Sequence, residues 1–153
     1  MQELITAARQ GRFGQRDHCM LLLAYRHGLR ASELTRIRRA DVDLDTGRIW
    51  VDRLKNGLAT GQPLQGDELR ALKAYLRMRK DSLPWLFLSS QGTPLVRQTF
   101  NYLVAQAGKR AGLGHVHPHM LRHSCGHALA DKVLDTRLLQ DWLGHRDIRH
   151  TAW

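Results

Sequence analysis

The chain has 153 residues, 42% of them hydrophobic, enough for one domain with a real core and too apolar for a disordered segment. With 24 Lys and Arg against 14 Asp and Glu, the formal net charge is +10 before any of the nine His is protonated, so polyanions are the expected partners, nucleic acid ahead of anionic lipid. No apolar run reaches membrane length and no signal peptide opens the sequence, so a cytoplasmic protein is expected.

Residues 2–10 predict a short helix ended by Gly11, and residues 17–27 predict a second one. The run from Met20 to Tyr25 is apolar nearly all round, as for a helix in the middle of a domain. Gly28 suits the C-terminal cap of that helix. Arg30 then sits in a turn ahead of a helix over 32–37, with Ser32 as the expected N-cap. An arginine beside a helix start suits an anion, although taken singly Arg30 reads better as a surface residue. Residues 41–47 read as loop and turn, and 48–52 as a strand. Asn56-Gly57 is a hairpin signal, and the returning strand runs to about Leu64. Lys55 falls at or next to the hairpin tip, where a solubilising lysine is the more common reading.

Residues 67–77 form an amphipathic scaffold helix, 85–88 a short strand, 91–94 a turn, and 96–111 a helix with Phe100, Leu103, Val104 and Ala107 as its core stripe. Pro118 opens the next helix at its first position, where the missing N–H is not needed. On that helix His119 and Arg122 are three apart and share a face. Gly126 and Ala130 lie below them, and Leu121, Cys125, Ala128 and Leu129 form the opposite, apolar stripe. Read alone, residues 117–123 fit a helix with a solvated basic face. Asp135 or Thr136 caps a following helix, with Leu138, Leu139, Trp142 and Leu143 on one face. Gly144 ends it and His145 projects past the cap. Asp147 reads as the N-cap of a last segment, Ile148 to Trp153. The two cysteines, Cys19 and Cys125, sit in apolar helical patterns and read as buried free thiols. With no repeat and no linker, one mixed α/β domain is expected over residues 1–153, mainly helical, with a small antiparallel sheet at one edge around 48–64.

Four pieces recur in a fixed order: Gly28-Leu-Arg-Ala-Ser-Glu-Leu34, the hairpin lysine Lys55, His119-Met-Leu-Arg122-His123, and Leu143-Gly-His145. Together they resemble the catalytic domain of the tyrosine recombinases, the phage integrase family, over essentially the whole chain. The likeness is strongest to the small recombinases that invert the type 1 fimbrial promoter. It is carried by Tyr25 to Leu34, His117 to Gly126, Asp135 to Asp141 and Ile148 to Trp153.

The resemblance implies site-specific DNA recombination, by strand cleavage and rejoining through a 3′-phosphotyrosyl intermediate. In that scheme Arg30 and Arg122 hold the scissile phosphate, His119 and His145 are the two catalytic histidines, Lys55 protonates the leaving 5′-oxygen, and Glu33 orients the site. The residue types suit the chemistry. Two arginines stabilise charge building on the non-bridging oxygens, so no metal or cofactor is called for. A lysine on a hairpin can deliver the proton. The partner implied is duplex DNA bearing a specific site, with a homotetramer assembled on it. The family's tyrosine follows a segment like the one ending at Trp153, whereas the three tyrosines present, Tyr25, Tyr75 and Tyr102, lie far from it. The expectation is therefore a chain without the nucleophile segment and its protomer-packing helix, inactive in cleavage and monomeric by itself.

Two other readings compete. One is a non-catalytic DNA-binding protein that regulates recombination sites. The other is a metal site built from His119, His123 and His127 at i, i+4 and i+8, with His115, His117 and Cys125 nearby, but lacking partners at zinc spacing.

Overall fold

A computed structural model describes residues 1–53, 59–131 and 142–143. The elements, in order, are α1 (Gln2–Ala7, continued by a 3-10 turn over Ala8–Gln10), α2 (Gly14–His27), α3 (Ala31–Thr35), β1 (Val42–Asp43), β2 (Arg48–Val51), β3 (Thr60–Pro63), α4 (Gly66–Met78), α5 (Arg97–Arg110) and α6 (Pro118–Asp131). The mixed, mainly helical class expected from the sequence is what forms. The strands make one antiparallel sheet in the order β1-β2-β3, with Ile49 opposite Val42 on one side and Gln62 on the other. The hairpin tip with Lys55, the cap at 135 or 136, Leu138, Leu139, Gly144, His145 and the segment 147–153 lie outside the described residues.

Helix α2 is the central element. Its residues Arg16 to Ala24 are all buried, as the unbroken apolar run requires, and it packs against α4, α6 and the turn after α1. Leu21, Leu23, Leu72, Leu86, Phe87, Phe100 and Leu121 fill the core around it. Its C-terminus closes on Gly28, whose φ of 62° is the left-handed conformation that favours glycine. There the Leu29 N–H reaches the Ala24 carbonyl at 2.9 Å and the Gly28 N–H reaches the Tyr25 carbonyl at 3.3 Å. A Cβ at Gly28 would also run into the Leu143 side chain and approach Cys125 Sγ, so this turn is closed in by side chains from elsewhere in the chain.

Helix α6 begins at Pro118 and sets Leu121 and Cys125 into the interior. Both cysteines are free and buried. Burial pushes the Cys125 thiol up to about 12 and raises that of Cys19 further, so neither is a ready nucleophile. Among the described residues no helix is long and apolar enough to cross a membrane.

Three expectations are corrected. Ser32 is not the N-cap of α3: the cap is Arg30, and Ser32 lies within the first turn. The cause is Glu33, whose carboxylate captures the Arg30 backbone N–H at 2.8 Å and starts the helix earlier. Residues 85–88 form no strand, only isolated bridges from Trp85 to Arg38 and from Leu88 to Pro94. Leu86, Phe87 and Leu88 are all buried, so their run is apolar because it plugs the core and not because it alternates in a ladder. Finally, the stretch 41–47 read as loop contributes β1, whose Asp43 carboxylate then takes the N–H groups of Asp45 and Thr46 to make the turn into β2.

Candidate functional site

The end of α2 leaves carbonyls with no partner inside the helix, and it carries the negative end of the helix dipole. Guanidinium groups collect there. Arg122, from α6, is 4% exposed; its Nη1 donates to the Gly28 carbonyl and its Nη2 to that of Leu143 at 2.9 Å. Arg53, just past β2, is 5% exposed. Its Nη2 donates to the His27 carbonyl at 2.8 Å and to that of Trp142 at 2.7 Å. Its Nη1 donates to Glu33 Oε1 at 2.8 Å and to the Gly28 carbonyl at 3.3 Å. Arg30 reaches the same carboxylate from the other side, Nη1 to Glu33 Oε2 at 3.2 Å, and keeps 35% of its side chain exposed.

One buried carboxylate thus bonds two of three neighbouring guanidinium groups, and positive charge is left over. The imbalance shows in the protonation equilibria. Arg122 is pushed down to about 10, by burial first and then by the charges of Arg30 and Arg53. His119, one turn before Arg122, is lowered by desolvation and then by the fields of Arg122, His117, His123 and Arg30. Arg30, His119 and Arg122 therefore lie within electrostatic reach of one another despite their separation in sequence. Of the five catalytic candidates these three are brought together, with Glu33 at their base. Lys55 and His145 lie outside the described residues. His123 and His127 face one another, Nε2 to Nε2 at 3.0 Å, along the exposed side of α6.

Reading the sequence missed Arg53, His27 and Gln62. His27 and Gln62 are both buried and joined at 2.7 Å, and Gln62 Nε2 donates to the Trp142 carbonyl at 2.7 Å. A signal for Arg53 was present. Ile49 and Val51 point inward, and continuing the two-residue period puts Arg53 on the same buried face.

A sequence profile described as the phage integrase family matches residues 1–153. The chain belongs to the phage integrase family. It is 48% identical over 159 aligned residues to the type 1 fimbriae regulatory protein FimB of Escherichia coli K12, covering all of this chain and 79% of that protein. Identity to FimE of the same strain is 46%, covering 99% of this chain and 80% of that one. The tyrosine recombinase XerC of Azotobacter vinelandii is 37% identical, with 98% of this chain and 51% of XerC aligned. Among solved structures, the crystal structure of XerA recombinase superposes with a TM-score of 0.88 at 27% identity, over 98% of this chain and 54% of that one. XerH site-specific recombinase bound to its difH substrate shares the fold, with a TM-score of 0.82 at 21% identity over 98% and 46% of the two chains. The chain spans about half the length of these solved structures. The integrase fold thus accounts for the expected helical architecture and for the small sheet.

The lowered proton affinity of His119 makes a pH effect measurable. An anion placed against Arg30 and Arg122 would screen the positive field on the imidazole and raise its pKa. Binding then takes up a proton, and affinity for duplex DNA should grow as pH falls from about 8 to about 5.5. Fluorescence anisotropy across that range should show a shallower pH dependence for His119→Gln than for the wild type. Identical profiles would remove His119 from the anion's surroundings.

Proposed function

We propose that this chain acts in site-specific DNA recombination, binding duplex DNA at a recombination site and polarising one phosphodiester for strand cleavage and rejoining. The observation that carries this is the convergence of Arg30, Arg122 and His119 on one surplus of positive charge at the end of α2. In the proposed reaction the two guanidinium groups and His119 receive the non-bridging oxygens as phosphorus is attacked. Glu33 orients Arg30. Lys55 delivers the proton to the leaving 5′-oxygen, and His145 is the second histidine. The attacking group is a tyrosine hydroxyl, giving a 3′-phosphotyrosyl link. Tyr75 is buried against Phe87, Tyr102 is exposed on α5, and Tyr25 is half-buried, so none of these is assigned as the nucleophile. The partner is duplex DNA, with assembly into a homotetramer on it and a cytoplasmic location. The domain assignment proposed is one catalytic domain over residues 1–153.

The test is a nicked suicide duplex that traps covalent protein–DNA intermediates. The 153-residue polypeptide should yield no adduct, and a version continued by a tyrosine-led segment after Trp153 should yield one on its own site. An adduct from the 153 residues alone would show that one of Tyr25, Tyr75 and Tyr102 is the nucleophile after all. DNA binding without any adduct in either form would favour a regulator that occupies recombination sites.

A further inference from the structure

Arg53 is buried as a cation, yet its Nε–H has no hydrogen-bond partner among the described residues. Its proton affinity is lowered by desolvation, only partly offset by Glu33. A group held in this state weakens the fold unless it serves something else. The bonds around Glu33 are unevenly divided between its two oxygens. Oε1 accepts from Arg53 Nη1 and from the Arg30 backbone N–H, both at 2.8 Å, while Oε2 accepts a single longer bond of 3.2 Å from the Arg30 guanidinium. Arg53 cannot swing away, because the carbonyls of His27, Gly28 and Trp142 also hold it. We propose that Arg53 is a positioning residue for the phosphate site: by taking the inner oxygen of Glu33 it holds that carboxylate back and leaves Arg30 open to an anion.

The inference rests on the reading of Arg30 as a phosphate ligand. Its physical basis is charge balance in a poorly solvated place. With Arg53 present, the carboxylate is shared and the Arg30, Arg53 and Arg122 group stays net positive. Without Arg53, Glu33 keeps one directly bonded guanidinium, Arg30, and closes onto it. The guanidinium that should meet a phosphate is then already paired. Arg53 is too buried to touch DNA, so if replacing it weakens the grip on phosphate, the effect must pass through Arg30.

The salt dependence of binding to short mixed-sequence duplex DNA reports how many phosphates the protein neutralises, at about 0.9 in log–log slope for each. Arg30→Ala is the control for the underlying reading and should lower the slope by about 0.9. If it does not, Arg30 is not a phosphate ligand, whatever Arg53 does. Arg53→Gln should lower the slope by the same amount and weaken low-salt binding about tenfold, with an unchanged circular dichroism spectrum. Glu33→Gln combined with Arg53→Gln removes the carboxylate as well, and should return the slope to the wild-type value. Effects at two members of one ion pair do not add, so damage to structure is read separately, from the circular dichroism spectrum and melting midpoint of each variant. Arg53→Lys keeps the charge and should keep the slope. A folded Arg53→Gln with the wild-type slope overturns the proposal. If Arg53→Gln does not fold, the other two variants decide: a slope lower by about 0.9 in the double variant or in Arg53→Lys overturns it equally.

Discussion

Arg122→Ala is expected to abolish covalent capture of DNA while leaving a folded protein. In a tyrosine-extended form of the chain, adduct formation on the suicide duplex should fall at least about a hundredfold, the loss typical when one preorganised donor to a developing oxyanion is removed. The expectation for stability is different, because two effects oppose. Losing the guanidinium strands the Leu143 carbonyl, at about 1–3 kcal/mol if it stays dry, and leaves the Gly28 carbonyl the 3.3 Å bond from Arg53. Against that, the change removes a buried cation that Arg30 and Arg53 already repel. The folded pKa of about 10 lies below the ordinary arginine range, so the folded state holds fewer protons from about 10 up to that range. Carrying this charge therefore weakens the fold at every pH below about 10, and the penalty eases only as pH rises through that value. Thermal melting should move little beside the kinetic loss. Arg122→Lys keeps a charge but not the planar fork that spans two acceptors, and should fall between the two. Adduct formation within tenfold of wild type in Arg122→Ala would remove Arg122 from the phosphate site.

The parts of this arrangement that were legible in the sequence are those set by local rules. Gly28 as a C-cap, Pro118 as a helix start and the all-round apolar Met20–Tyr25 run each follow from a few neighbouring residues, and each formed as expected. The strand pair around 48–64 was legible from the strand run at 48–52 and the Asn56-Gly57 hairpin signal. The Ser32 cap was misjudged because cap preference was weighed without the competing carboxylate at Glu33. Residues 85–88 were misjudged because four apolar residues fit a strand and a core plug equally well until their neighbours are known. Arg53 was missed for a deeper reason. Its importance lies in partners drawn from 20 to 89 residues away, Glu33 and Trp142 among them, and no local pattern encodes that. The family resemblance pointed to the groups proposed to touch phosphate. It did not point to the buried residue that sets how the charge among them is shared.

Beneath the proposed phosphate site lies a second buried polar group, and Glu68→Ala is expected to give the largest loss of stability. His27 and Glu68 have fully buried side chains, with Nε2 and Oε1 2.5 Å apart. The Trp142 carbonyl can only accept, so Gln62 must turn its Nε2 toward it, and its Oε1 then faces His27 Nδ1 at 2.7 Å. Nδ1 is therefore a donor, assigned from the network, and one further proton is shared between Nε2 and the carboxylate. The other oxygen of Glu68 accepts the Gln65 N–H at 2.7 Å and closes the start of α4. Alanine removes the Glu68 contacts and leaves the Nε2 side of a buried imidazole without its partner. The expected cost is about 3–5 kcal/mol, as for breaking a buried pair from one side. In a chain of this length that lowers the melting midpoint by about 6–20 °C. Glu68→Gln separates the causes. A glutamine amide can donate to a neutral Nε2 while its carbonyl keeps the Gln65 N–H, so both hydrogen bonds survive without the charge. It should lose less than about 1.5 kcal/mol. If glutamine is as damaging as alanine, the ionic component of the pair dominates. If alanine costs under about 1 kcal/mol, the network is not what holds the end of α2. The functional effect should be indirect and smaller than that of Arg122→Ala. The carbonyls of His27 and Gly28, which anchor Arg53 and Arg122, belong to the same helix end that Glu68 secures, so DNA affinity should decline only as that end loosens.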